Sequence, residues 1–182
     1  MKLWLARHAA PLVQAGVCYG TSDVAADALA TRQAAQALAI QLPQGLAVRC
    51  SPLRRCRQLA HALRALRPDL VPSEDRRLAE MDFGCWEGRP WSEVAQQEYE
   101  DWTADFPAYR CGGGENVAAL MARVAEALAD TRRDGSDALW ITHGGVVRAV
   151  RLLVAGVALP SRADEWPREA LAFGQATCLA LA

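Results

Sequence analysis

Histidine is scarce in this chain, at three in 182 residues, and several familiar functional signatures are missing altogether. The six cysteines, at 18, 50, 56, 85, 111 and 178, include no C-x-x-C pair, so no zinc site is expected and the thiols read as reduced, buried fillers. No apolar run approaches the ~20 residues of a membrane span. Lys2 is followed by only four apolar residues before Arg7, which makes no signal peptide, and the expected compartment is the cytoplasm. Neither sign of charge dominates: 20 Lys and Arg against 21 Asp and Glu leave a formal net charge of −1. A nucleic-acid or membrane partner, which would call for a basic excess, is therefore not expected. There is no G-x-x-x-x-G-K-[ST] phosphate loop, and no G-x-G-x-x-G follows the first apolar run, which argues against P-loop and dinucleotide-binding readings. Internal repeats, low-complexity tracts and linkers are also missing, so residues 1–182 read as a single domain with a full core.

What is present is an alternation of strands and helices. Leu3, Trp4 and Leu5 predict a strand over residues 2–6, and Pro11, Gly16 and Gly20 break residues 10–24 into a loop. The spacing of Ala34, Ala35, Leu38, Ala39 and Leu42 predicts a helix over 27–41, ended by Pro43 and Gly45. A second strand follows at 46–50. Ser51-Pro52 reads as an N-cap with proline at the first helical position, and Leu53, Cys56, Leu59, Ala60, Leu63 and Leu66 form that helix's buried stripe. A short strand is expected at 70–72 and a helix at 91–102. A longer helix at 116–133 turns Val117, Leu120, Met121, Val124 and Leu128 inward. An apolar strand at 138–142, an apolar helix at 146–156 and a final strand at 176–182 complete the chain. This order predicts an α/β domain whose mostly parallel sheet is covered on both faces. Residues 74–115 read as irregular and are expected to cap one edge of the sheet.

Three strand ends carry the chemistry. The first ends in Arg7-His8, a charge and an imidazole where open α/β sheets place their ligands. The second ends at Ser51-Pro52, with Arg54, Arg55 and Arg57 just beyond, and the strand at 138–142 runs into His143-Gly144-Gly145. Parallel pairing would converge two histidines and at least two arginines on one crevice, beside helix N-termini that offer backbone N–H groups. Guanidinium groups suit phosphate oxygens, so the expected ligand is a small-molecule phosphate ester held without a metal or cofactor. A histidine among cations titrates low, which leaves His8 neutral at pH 7 and able to attack phosphorus. The leaving alkoxide then needs a proton, for which Glu80, Asp82 and Glu87 are the candidate acids.

Four segments in order resemble the histidine phosphatase superfamily, with its phosphoglycerate mutase-like fold: Leu5-Ala6-Arg7-His8-Ala9, Ser51-Pro52-Leu53-Arg54-Arg55-Cys56, residues 78–88, and Ile141-Thr142-His143-Gly144-Gly145. Gly113-Gly114-Glu115-Asn116 resembles a motif of its phosphatase branch. The resemblance implies a three-layer α/β/α sandwich and a phosphoric monoester hydrolase. It implies that His8 becomes a phosphohistidine, that Arg7, Arg55 and His143 hold the phosphoryl oxygens with help from the Gly144 N–H, and that Glu80 protonates the leaving oxygen and then activates water. Residues 16–23 and the short length are most similar to the α-ribazole phosphatases, which act in assembly of the cobalamin lower ligand. A broad-specificity phosphatase, a phosphoglycerate mutase-type enzyme and a non-catalytic phosphate-binding relative stay open as alternatives. Two positions depart from the family pattern: Ala9 replaces the usual glycine, and the usual loop asparagine has only Gln14 nearby.

The remaining candidates read more plainly. His61 is expected to be structural or solvated, and Arg54 and Arg57 to lie at the surface or behind the site. Trp86, Trp91 and Trp102 are expected to be core or loop anchors, and Asp82 and Glu87 to bind loop backbone. Residues 160–175 read equally as a lid carrying Trp166 or as a connection. Monomer and dimer both remain open.

Overall fold

The computed structural model describes residues 1–181. Its centre is β4 (Ala138–Thr142), five residues buried on both faces, as expected of a strand with parallel neighbours on either side. β1 (Lys2–Arg7) pairs with it in parallel on one side and β2 (Ala47–Cys50) on the other. β3 (Pro72–Glu74) extends the sheet beyond β2, and β5 (Ala176–Ala180) closes the opposite edge antiparallel to β1. The strand order is β3-β2-β4-β1-β5, so the strands ending in His8, Ser51 and His143 are adjacent.

The period-2 alternation of the strands divides two cores. Ala6, Val48, Leu139 and Ile141 face α1 (Ala28–Gln41) and α2 (Arg54–Leu66). Leu3, Leu5, Ala138 and Trp140 face α4 (Val117–Asp134) and α5 (Gly144–Val154). The result is the expected α/β/α sandwich. Side chains set the helix starts: Asp27 accepts from Ala30 N–H at 2.7 Å and Asn116 from Ala119 N–H at 2.8 Å. No helix among the described residues is long and apolar enough to cross a membrane.

Several boundaries differ from expectation for identifiable reasons. Ser51-Pro52 does not open α2. Asp23, from the loop after β1, accepts from Arg54 N–H at 2.6 Å and starts the helix at Arg54, which leaves the Ser51 hydroxyl 2.7 Å from His143 Nε2. Leu66, expected in the buried stripe, is exposed on the last turn. The helix expected at 91–102 is split, because Val94 and Ala95 are extended between a 3-10 turn at Trp91–Glu93 and α3 (Gln96–Ala104). β3 lies two residues later than expected, and α5 starts at Gly144, directly against His143. Residue 182 of the expected final strand lies outside the described residues.

The stretch 74–115 packs into one of the two cores. Phe83, Trp86, Trp91, Trp102 and Phe106 join the same core as α4 and α5. Its two halves interlock through glycines in the left-handed region, Gly84 (φ 53°) and Gly112 (φ 56°), and a Cβ on Gly112 would collide with the Phe83 carbonyl. Gly112→Ala is expected to destabilise the protein by more than ~1 kcal/mol, read as a lower urea midpoint. An unchanged midpoint would contradict this packing.

Candidate active site

Arg7 and His8 leave the carboxyl end of β1, and His8 N–H is fixed by the Thr142 carbonyl at 3.1 Å. His143 caps the neighbouring strand, and the two imidazole centroids lie 5.2 Å apart. Both rings are buried. His8 Nδ1 lies 2.7 Å from the Ala9 carbonyl, a distance at which it donates its proton and leaves the lone pair on Nε2. Burial, then the Arg55 charge, push the His8 pKa down from 6.5 to about 3 against the opposing pull of the Ala9 carbonyl. Burial, Arg55 and His8 hold His143 well below its usual value. Ala9 has a negative φ, so its methyl group costs the backbone nothing.

Arg55 is fully buried and alone among the three arginines of the α2 start in reaching the site; Arg54 and Arg57 are exposed. Its Nε donates to His8 Nε2 at 3.3 Å, Nη1 to the Ser22 carbonyl at 2.8 Å and Nη2 to the Gly20 carbonyl at 2.6 Å. Glu87 holds that loop from behind, accepting from the N–H groups of Thr21 at 2.8 Å and Ser22 at 2.7 Å. Asp82 binds Gly84 N–H at 2.8 Å. Both acids therefore support backbone, as expected, and Glu80 is the one at the site. Its Oε2 accepts from Gly145 N–H at 3.0 Å, so close that a Cβ on Gly145 would collide with the carboxylate.

Arg7 completes the ring of charge. Its Nη1 donates to the Leu171 carbonyl at 2.7 Å, its guanidinium carbon sits 3.9 Å over the Phe173 ring, and its buried Nε has no partner. Gly144 lies against the same guanidinium. Among the described residues neither Arg7 nor Arg55 forms an ion pair with a carboxylate. Two guanidinium groups held in or beside a low-dielectric crevice without a direct carboxylate partner suit an anionic ligand. No group of three or more His, Cys, Asp and Glu among the described residues is placed to hold a metal ion.

Several further side chains border the site. Phe173 packs on both Arg7 and His8, at 5.4 Å between ring centroids for His8, so the 160–175 stretch covers the site through Phe173 and Leu171. Trp166 instead lines a cavity of about 370 Å³ that opens beside Glu80 and Gly145. Trp91 and Trp102, expected to be plain anchors, line it as well, whereas Trp86 is buried in the core. Cys56, 3.4 Å from His143 Nε2, is a buried thiol whose pKa is pushed up by burial; Cys85 and Cys178 are exposed rather than the buried fillers expected. His61 is exposed.

A histidine pair and two arginines without ion-pair partners, gathered at the carboxyl ends of adjacent parallel strands, form a pocket whose chemistry suits a phosphoryl group. Residues 3–167 match the model of the histidine phosphatase superfamily (branch 1), and the chain belongs to that family. A metal-independent phosphoserine phosphatase of Arabidopsis thaliana is 32% identical over 117 residues, which cover 60% of this chain and 48% of that protein, so the match spans about half the length of the curated relative. The structure of a phosphoglycerate mutase from Thermus thermophilus superposes with a TM-score of 0.75 at 29% identity, covering 98% of this chain and 92% of that one. A mycobacterial glucosyl-3-phosphoglycerate phosphatase shares the fold, with a TM-score of 0.81 at 23% identity and coverage of 98% and 89%.

Both imidazoles are neutral when folded and take up protons when unfolded below pH 6.5. The unfolded chain then binds more protons, so their contribution to stability falls as pH drops from 6.5 towards about 3. His8→Gln is expected to flatten the urea-midpoint profile between pH 6.5 and 5; equal slopes in the two proteins would contradict the neutral, buried state of His8.

Proposed function

We propose that the protein is a metal-independent phosphomonoesterase working through phosphohistidine, and that its substrate is α-ribazole 5′-phosphate, in the cytoplasmic assembly of the cobalamin lower ligand. The observation that carries the chemistry is the His8 ring: buried, neutral, anchored through Nδ1, with its Nε2 lone pair accepting from Arg55 Nε–H, a bond given up when Nε2 attacks. The narrower choice of substrate rests on residues 16–23 and on the size of the cavity beside Glu80.

In this reading the phosphoryl group replaces the Leu171 carbonyl on Arg7 and lies between the two imidazoles. His8 Nε2 attacks phosphorus as the P–O bond to the leaving group breaks. Arg7, Arg55 and His143, with the Gly144 N–H at the start of α5, take the charge that spreads over the phosphoryl oxygens. Glu80, protonated in this half-reaction, gives its proton to the leaving alkoxide, which departs as the alcohol. The carboxylate then removes a proton from water as the oxygen attacks the phosphohistidine, and the N–P bond electrons return to Nε2. The bond from Gly145 N–H keeps Glu80 beside this path.

The test is a steady-state comparison of α-ribazole 5′-phosphate, phosphoserine and 3-phosphoglycerate, each with and without EDTA. The expected result is hydrolysis unaffected by chelation, with the highest kcat/KM for α-ribazole 5′-phosphate. His8→Ala should lose ~10⁴-fold or more in turnover, and Glu80→Gln ~10²–10⁴-fold. Full activity in His8→Ala, or loss of activity in EDTA, would overturn the mechanism. A higher kcat/KM for phosphoserine or 3-phosphoglycerate would overturn the substrate alone.

A further inference from the structure

His143 is the second imidazole of the site, and the nitrogen that carries its proton decides whether it attracts or repels an anion. The ring is fully buried, and burial together with Arg55 and His8 keeps it neutral at pH 7, so it has one N–H and one lone pair. Its Nε2 lies 2.7 Å from the hydroxyl of Ser51, which is fully buried as well. Ser51 N–H donates to the Ile141 carbonyl at 2.9 Å, which holds the residue at the end of the β2–β4 pair. Asp23 caps α2, so the Ser51 hydroxyl is not drawn away to the helix start. The hydroxyl oxygen accepts from Leu53 N–H at 3.3 Å, and the hydroxyl proton then needs an acceptor of its own. Among the described residues the strong acceptor in reach is His143 Nε2. The alternative, the Cys56 sulfur, is weak, because burial keeps that thiol protonated. Cys56 lies 3.4 Å from Nε2 and brings a proton too, which it donates to the Thr142 carbonyl at 3.5 Å. Were Nε2 protonated instead, the Ser51 oxygen would accept twice and its buried proton would lose its best partner.

We infer that Ser51 is a positioning residue: by donating to Nε2 it fixes His143 as the Nδ1–H tautomer and so makes the ring a hydrogen-bond donor to the phosphoryl oxygens. With Nε2 turned to Ser51, Nδ1 is the nitrogen left for a ligand. Its one polar contact among the described residues is Cys56 Sγ at 3.9 Å, a weak partner for an N–H. The opposite tautomer would set a lone pair against the anion and turn an attraction into a repulsion. The role rests on the phosphomonoesterase reading of the His8–Glu80 site and adds what sets the state of its second imidazole.

NMR of protein labelled with ¹⁵N in its imidazoles reads the tautomer without any substrate, and with three histidines in the chain the spectrum is simple. His143→Gln assigns the resonances. At pH 7 the wild-type ring is expected to show a protonated Nδ1 and an unprotonated Nε2. Ser51→Ala is expected to move much of the proton to Nε2, and Ser51→Thr, which keeps the hydroxyl, to leave it on Nδ1. A protonated Nε2 in the wild-type protein overturns the inference even if a variant fails to fold, and so does a His143 tautomer unchanged in Ser51→Ala. Turnover of whichever phosphomonoester is hydrolysed fastest is read separately. There Ser51→Ala should lose ~10-fold or more in kcat with KM changed less, and Ser51→Thr should recover most of the loss. A loss in Ser51→Ala that Ser51→Thr does not recover would reduce Ser51 to a packing residue and overturn its role. The expected tautomers with no hydrolysis of any phosphomonoester would sink the proposed activity and leave the tautomer assignment standing; hydrolysis with Nε2 protonated would do the reverse.

Discussion

A buried guanidinium donates to a buried imidazole: Arg55 Nε–H to His8 Nε2, at 3.3 Å. Neither group belongs in a protein interior without compensation, and together they fix each other's state. The cation opposes protonation of the ring, and the ring and two loop carbonyls satisfy the cation's donors. Among the described residues no carboxylate pairs directly with this guanidinium, although Glu80 and Glu87 lie near enough to act on it. Arg7 adds a second guanidinium with an unpartnered Nε, and α5 aims its N-terminus at the same spot. In the proposed reaction a phosphoryl dianion is the ligand of these two guanidinium groups, and the imidazole proposed to attack it is already deprotonated.

The rest of the chain holds that pair in place. The β2-β4-β1 order brings Ser51, His143 and His8 to one sheet end, and the buried β4 leaves little freedom for slippage. The loop that feeds Arg55 its carbonyls has no regular structure of its own; Glu87, from the distant 74–115 stretch, fastens its N–H groups. That stretch is locked in turn by the Gly84–Gly112 contact and by Arg123, which binds both Glu115 and the carbonyls of Arg77, Ala79 and Glu80. The same scaffold sets Glu80 against the start of α5, on the wall of the aromatic cavity.

Much of this was readable from the residues. Arg7-His8 and His143-Gly144-Gly145 stand out because a core strand has no packing reason to end in a charge or an imidazole, and alternation of strand and helix implies that parallel ends meet. Less was readable where tertiary partners override local pattern. Ser51 looks like a helix cap, yet its hydroxyl meets a histidine 92 residues away, while the cap comes from Asp23. Helical spacing cannot separate Arg55 from Arg54 and Arg57, because all three lie within one turn and only the position of the 19–22 loop decides. Trp91 and Trp102 look like core because an aromatic cavity wall and a core surface have the same composition. Phe173 gave no signal at all, since its contacts with Arg7 and His8 arise from the return of the chain into β5.

The most direct measurement is rapid chemical quench of the enzyme during turnover of a ³²P-labelled phosphomonoester, followed by peptide mapping of the protein-bound label. The account predicts transient label that survives base, is lost in acid, and maps to the peptide containing His8. Continued turnover with no label on the protein, or label on any residue other than His8, would contradict it.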